Sequence, residues 1–123
     1  MKEIIAIIRP KKVRATKDVL EAIGFPCFLA VSVLGRGHQR GIAGEVNCEL
    51  SPDTLNQAKT GGMKYVPKRM LTIVVPDENV DTVVEAVVRV NQTDQIGDGK
   101  IFICPMEDAI RVRTDETGES AIV

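Results

Sequence analysis

The order of elements read from this chain predicts an α+β fold, the ferredoxin-like βαββαβ sandwich, in which two helices cover one face of an antiparallel sheet. Three observations carry that prediction. Two stretches repeat the same strand, proline turn and helix, and each is followed by a further β-rich run. Hydrophobic residues make up 44% of the 123 positions, enough for a core, while aromatics are only 3%. That core must therefore be built from Val, Ile, Leu and Ala, and the length suits one domain spanning 1–123.

The first strand is predicted over 3–8, a β-rich run closed by Arg9-Pro10. A helix over 13–23 follows, with Val13, Leu20 and Ile23 inward, and Gly24 before Pro26 stops it. The second strand spans 28–34, with Val31 and Val33 on one face. Sixty-six positions after Pro10, a third strand over 70–75 ends at Pro76-Asp77. In the helix over 80–90, Val80, Val83, Val84, Val87 and Val88 follow the spacing of one buried face. Valine is a modest helix former, so packing must hold this helix, and Asp77 can cap its start. The fourth strand covers 100–104 and stops at Pro105. The sheet's second face is left bare, which on so small a domain predicts oligomerisation.

Between strands 2 and 3 lies a long connection, 35–68, holding six of the ten glycines: Gly35, Gly37, Gly41, Gly44, Gly61 and Gly62. Unstructured connections beyond about 12–15 residues are uncommon in compact domains. This one reads either as a surface insert or as an arm that changes shape with a ligand and docks a partner. Sixteen basic and 17 acidic residues leave a net charge of −1, against a general polyanion binder. Cys27, Cys48 and Cys104 are widely spaced and His38 is the sole histidine, so no zinc spacing exists and reduced thiols are expected. The start passes straight into a strand, and no apolar run approaches the ~20 residues that span a bilayer, so a soluble cytoplasmic protein is expected.

Three segments suit an anion. In Gly35-Arg36-Gly37-His38-Gln39-Arg40-Gly41, glycines let backbone N–H groups approach while cationic side chains stand alongside. In Ile96-Gly97-Asp98-Gly99-Lys100, glycines flank an acid ahead of a strand lysine, an arrangement that suits a phosphate cradle or a plain hairpin turn. In Arg111-Val112-Arg113-Thr114, alternation puts both arginines on one side of an extended segment, as a phosphate clamp or a solvated strand face. Together they point to a nucleoside triphosphate. No Ser/His/Asp or Cys/His set is spaced for catalysis, so the chain reads as a binder rather than an enzyme.

These residues also carry a resemblance. Ile7-Ile8-Arg9-Pro10, Gly35-x-Gly37-x-Gln39-x-Gly41, Pro67-Lys68, Val74-Val75-Pro76-Asp77, Gln92-Thr93, Ile96-Gly97-Asp98-Gly99-Lys100-Ile101-Phe102 and Arg111-Val112-Arg113-Thr114 closely resemble the PII nitrogen-regulatory family over nearly the whole chain. The resemblance implies a trimer with ATP or ADP in each cleft between subunits. Ile7 and Val74 would flank the nucleoside. Gly35, Gly37, His38, Gln39, Gly97, Asp98, Gly99 and Lys100 would meet the nucleotide, with Arg111 and Arg113 arriving from the neighbouring subunit. Gln39 would help ligate Mg²⁺, and 2-oxoglutarate would sit among Gln39, Arg40, Gly41, Lys68 and Gly97.

Departures from the family pattern are equally informative. His38 stands where a basic residue is usual, Leu29 replaces a polar residue that contacts the base, and Asp94 replaces a common glycine. The loop is about ten residues longer than the common form. Tyr65 lies two residues before Pro67, away from the tip tyrosine that is uridylylated in enteric members, so no such modification is expected. The long loop and Tyr65-Val66-Pro67-Lys68-Arg69 look like the longer, second member of the nitrogenase-linked PII pair. That likeness implies direct inhibition of dinitrogenase, as a hetero-oligomer with the shorter paralogue or as a homotrimer, relieved by ATP with 2-oxoglutarate. The competing readings are a PII protein acting on an ammonium channel or a nitrogen-assimilation enzyme and, further off, a small nucleotide hydrolase.

Overall fold

The computed structural model of the chain describes residues 1–37 and 65–122. Its elements are β1 (Lys2–Ile8), a 3₁₀ turn (Pro10–Lys12), α1 (Val13–Ala22), β2 (Leu29–Arg36), β3 (Tyr65–Val75), a second 3₁₀ turn (Asp77–Asn79), α2 (Val80–Asn91) and β4 (Lys100–Pro105). A last 3₁₀ turn spans Gly118–Ala121. The sheet runs β2-β3-β1-β4 with every neighbouring pair antiparallel, which is the predicted ferredoxin-like sandwich.

Alternation along the central strands fixes the core. Ile4, Ala6 and Ile8 of β1 and Leu71, Ile73 and Val75 of β3 turn towards the helices, which return Leu20, Val83 and Val87. Val75 and Val83 are fully buried. The valine stripe of α2 is narrower than its spacing suggests. Val83, Val87 and Asn91 form its buried line, whereas Val88 at the margin is 41% exposed. Packing on one line of side chains compensates the low helix propensity of valine.

Gly24 ends α1 as predicted. Its N–H donates to Glu21 O at 3.1 Å and that of Phe25 to Leu20 O at 2.8 Å, the paired bonds of a Schellman stop. Asp77 does not cap α2. Its carboxylate instead accepts from the N-terminal amine of Met1 at 3.1 Å and Lys2 Nζ at 3.3 Å, and no side-chain cap bond forms at Asn79.

The hairpin of β2 and β3 extends further into the 35–68 connection than the sequence predicts. Gly35 pairs with Val66 and Arg36 with Tyr65, so both ends of that connection are strand. Pro67 does not break β3, because β1 stops at the Ile8–Arg69 pair and leaves only β2 beside it. A residue without an N–H is tolerated where a strand has one neighbour. The Arg36 guanidinium lies 5.8 Å from the Tyr65 ring centre, a cation–π contact across the ribbon. The face opposite the helices is uncovered in the single chain: Leu29 is 71% exposed and Phe102 51%. Cys27 and Cys104 are free; Cys48 lies outside the described residues.

Candidate functional site

A cleft of about 390 Å³ opens where the β2–β3 ribbon meets the start of β4. It gathers Ile7, Gly35, Gly37, Lys68, Gly97, Gly99 and Lys100, seven residues singled out from sequence, together with Arg36. Register explains the meeting. Ile7 pairs with Lys100 on one side and Met70 on the other, and Lys68 pairs with Val33 further along β3. Side chains of paired residues share a face, so Ile7, Lys68 and Lys100 rise from the same uncovered side of the sheet.

Lys68 is only 7% exposed, and its Nζ donates to Gly97 O at 2.5 Å. Burying an ammonium costs free energy unless it is compensated, and this contact ties the base of the ribbon to the glycine turn. The turn itself needs its glycines. Gly97 sits at φ +99 and Gly99 at φ +118, and a Cβ on Gly99 would stand 1.9 Å from Ile7 O. Only glycine lets the backbone pass so close to β1. Asp94 takes φ +63, the left-handed region that glycine also favours and that aspartate tolerates, which accounts for its place there.

The carboxylate of Asp98 turns inward. Its Oδ2 accepts the N–H of Thr93 at 2.6 Å and of Asp94 at 3.0 Å, while Oδ1 takes the Thr93 hydroxyl and Arg9 Nη1. Burial pushes this carboxyl's pKa up, but the hydroxyl and N–H of Thr93 and the Arg9 guanidinium outweigh that and hold it well below the usual carboxylate range. Asp98 lines a neighbouring cavity of about 310 Å³, beside Ile8, Val84, Val88 and Ile101, rather than the cationic cleft. The two cavities share Ile7, Gly99 and Lys100.

The remaining predicted residues lie apart. Val74 pairs with Glu3, four positions along β3 from the partner of Ile7, and lines neither cavity. The extended reading of 111–114 is corrected: Arg111 O accepts the N–H of Thr114 at 3.3 Å and of Asp115 at 2.8 Å, closing a turn with Asp115 at φ +59. Arg111 reaches Glu116 Oε1 at 3.0 Å and Ser120 O at 2.9 Å, away from the cleft. A tight turn supersedes strand alternation, so Arg111 and Arg113 do not act as neighbours on one strand face. His38, Gln39, Arg40 and Gly41 lie outside the described residues.

Sequence reasoning left Arg9 and Thr93 without roles. Arg9 is 5% exposed, and its Nη2 donates to Ile96 O at 3.0 Å. The one local signal was a cation at the end of an apolar strand, directly before a proline. As for a metal, no group of three His, Cys, Asp or Glu gathers among the described residues.

The sequence matches the profile of the family described as nitrogen regulatory protein P-II over residues 1–116. It is 56% identical over 123 residues to the nitrogen fixation nifHD region GlnB-like protein 2 of Methanobacterium ivanovii, covering 100% of both chains. Against the protein of the same description from Methanococcus maripaludis it is 58% identical, covering 99% of this chain and 100% of the other. The nitrogen regulatory protein P-II of Cereibacter sphaeroides is 40% identical over 122 residues, covering 99% of this chain and 100% of that one. Among solved structures, Arabidopsis thaliana PII bound to citrate superposes with a TM-score of 0.74 at 30% identity, covering 98% of this chain and 88% of that one. Family profile, full-length relatives and fold agree with the glycine turn and cationic cleft: the chain belongs to the P-II family of nitrogen regulatory proteins.

Proposed function

We propose that this chain is a nitrogen-status sensor that binds ATP or ADP and 2-oxoglutarate in the cationic cleft and regulates nitrogenase by direct contact. The observation that carries the reading is the convergence of Lys68, Lys100 and the Gly97–Gly99 turn around one cleft of about 390 Å³. Two ammonium groups and a glycine-rich backbone suit a polyphosphate beside a dicarboxylate. Lys68 would hold the distal carboxylate of 2-oxoglutarate. Gln39 would complete a Mg²⁺ site built on the ATP phosphates, with Arg40, Gly41 and Gly97 beside the near carboxylate. ADP lacks the γ-phosphate and cannot complete the same metal site.

Arg111 and Arg113 would enter the site from a neighbouring copy, as the family trimer implies, with Ile7 and Val74 flanking the nucleoside and the apolar sheet face turned inward. The chain acts as a regulator, not an enzyme, in the cytoplasm; among the described residues no helix is long and apolar enough to cross a membrane. The nifHD names of its full-length relatives support a nitrogenase target, and the arm within 35–68 would be the docking element, alone or in a hetero-oligomer with a shorter paralogue. Ligand relieves inhibition only if it binds the released arm conformation better than the docked one.

Calorimetry with Mg-ATP tests the site. 2-Oxoglutarate binding is expected to weaken by tenfold or more, about the strength of one charge-assisted contact, in Lys68→Ala and in Gln39→Ala. Unchanged binding in both would refute the assignment. Capture of dinitrogenase from nitrogen-fixing cells, lost on adding Mg-ATP with 2-oxoglutarate, supports the target. Capture of an ammonium channel without dinitrogenase would replace it.

A further inference from the structure

Arg9 belongs to none of the ligand contacts proposed above and does not line the cleft, yet it grips the turn that does. Arg9 is 5% exposed, directly after the end of β1. Nη1 meets Asp98 Oδ1 at 2.5 Å and Nη2 meets Ile96 O at 3.0 Å, so one planar cation spans a carboxylate and a carbonyl two residues apart. Asp98 in turn fixes the N–H groups of Thr93 and Asp94. From the opposite side Lys68 holds Gly97 O at 2.5 Å. Two successive carbonyls, Ile96 and Gly97, are therefore gripped by two different cations, one behind the turn and one inside the cleft.

We infer that Arg9 is a positioning residue, which pins residues 93–98 from behind so that Gly97, Gly99 and Lys100 face the cleft in ligand-ready form before any anion arrives. The inference rests on reading the cleft as the nucleotide site. Preorganised donors bind better because the ordering cost is already met in the free protein. The role needs arginine's shape. A lysine is a point charge that can serve Asp98 or Ile96 O but does not span both, and a neutral side chain leaves a half-buried carboxylate without its cation.

The test uses the full chain, comparing wild type with Arg9→Lys, Arg9→Gln, Asp98→Asn and the Arg9→Gln/Asp98→Asn double variant. Amide hydrogen exchange at Thr93 and Asp94 is read without ligand, and Mg-ATP affinity by calorimetry. Arg9→Gln is expected to speed exchange at both amides and weaken Mg-ATP about tenfold, the size of one hydrogen bond to a charged group. Arg9→Lys should fall between wild type and Arg9→Gln, and it serves as the working variant if Arg9→Gln fails to fold. The double variant should bind no worse than the weaker single one, because both act through one contact. Unchanged exchange and affinity in Arg9→Gln, or an Arg9→Lys as impaired as Arg9→Gln, overturns the positioning role. A wild type that binds no Mg-ATP, while Arg9→Gln still frees the turn, overturns the nucleotide reading and leaves the pinning of the turn standing.

Discussion

The two halves of this molecule are built on one plan and diverge where it matters. The first residues of the helices, Val13 and Val80, stand 67 apart (80 less 13), and each helix follows a 3₁₀ turn at the end of a central strand. At that offset the core positions match: Ile4 with Leu71, Ala6 with Ile73, Ile8 with Val75, Leu20 with Val87, every one of them buried. The offset of 66 suggested by aligning Pro10 with Pro76 is therefore one short. Pro10 is the first residue of its turn, whereas Pro76 precedes its turn and matches Arg9. The second difference is at the helix ends. Gly24 stops α1, while its counterpart Asn91 stays helical and buried and leads into the turn that lines the cleft. The repeat supplies the core, and one wall of the candidate cleft, Gly97, Gly99 and Lys100, follows the helix end where the repeat fails.

The sharpest way to break this comparison is to put a methyl group on a glycine in each half. Gly24 has φ +91 with open space around its Cβ direction, so Gly24→Ala meets only the left-handed penalty of about 1–2 kcal/mol. Gly99→Ala adds a collision with Ile7 O, and backbone must move. A loss on the order of 4 kcal/mol is expected, in the range of severe single substitutions. Urea unfolding of both variants measures the contrast. Equal losses would mean that the glycine turn is no tighter than an ordinary helix stop.

The same contrast explains which parts were legible in the sequence. The core was, because valine spacing in α2 and alternation in β1 and β3 are local patterns that burial acts on directly. The glycine turn was, because 96–100 are contiguous and their conformation is set by residue type. Arg9 was not, since its partners Thr93, Ile96 and Asp98 lie over eighty residues away and no periodicity encodes that reach. The early start of β3 at Tyr65 was not legible for a tertiary reason: whether a strand can carry Pro67 depends on how many neighbours it has there. At 111–114 alternation suggested a strand, and backbone hydrogen bonds to Arg111 O made a turn. Val74 lines neither cavity and Arg111 turns to Glu116 and Ser120, so alternation and spacing did not show that one copy of the fold keeps these residues away from the cleft.

A smaller effect is expected at Thr16, the buried polar residue that matches Val83. Its hydroxyl donates to Lys12 O at 2.8 Å and accepts from Asn91 Nδ2 at 3.0 Å, linking the irregular helix end to the other half. Thr16→Val imposes the symmetry of the repeat but strips that amide of one acceptor, at a cost of about 1–3 kcal/mol. Asn91 Nδ2 keeps Val87 O at 2.9 Å, which favours the lower end. Asn91 Oδ1 has no hydrogen-bond partner among the described residues, so Asn91→Leu alongside Thr16→Val removes polar atoms on both sides. The double variant should regain most of the loss in urea midpoint. A double variant no more stable than Thr16→Val alone would show that the polar link, rather than packing, joins the helices.

The smallest effect concerns acid, and it sharpens the comparison within the second half. Asp77 at its entrance is held below the ordinary carboxylate range by the N-terminal amine and then Lys2; Asp98 at its exit is held well below that range by Thr93 and Arg9, against the opposing effect of burial. A carboxyl whose pKa is depressed by folding contributes stability that is present above its unfolded value, about 3.9, and is lost as pH falls below it. Both should therefore steepen the fall in stability below about pH 4. Asp77 is 63% exposed, so salt and solvent weaken its share, while Asp98 at 22% is better shielded. Urea unfolding between pH 5 and pH 2.5 should show a flatter acid limb in Asp98→Asn than in Asp77→Asn, and 0.5 M salt should narrow the contribution of Asp77 more. If Asp77→Asn flattened the limb more, the exit turn would be the looser end of that half, and the preorganisation assigned to Arg9 would have to be sought elsewhere.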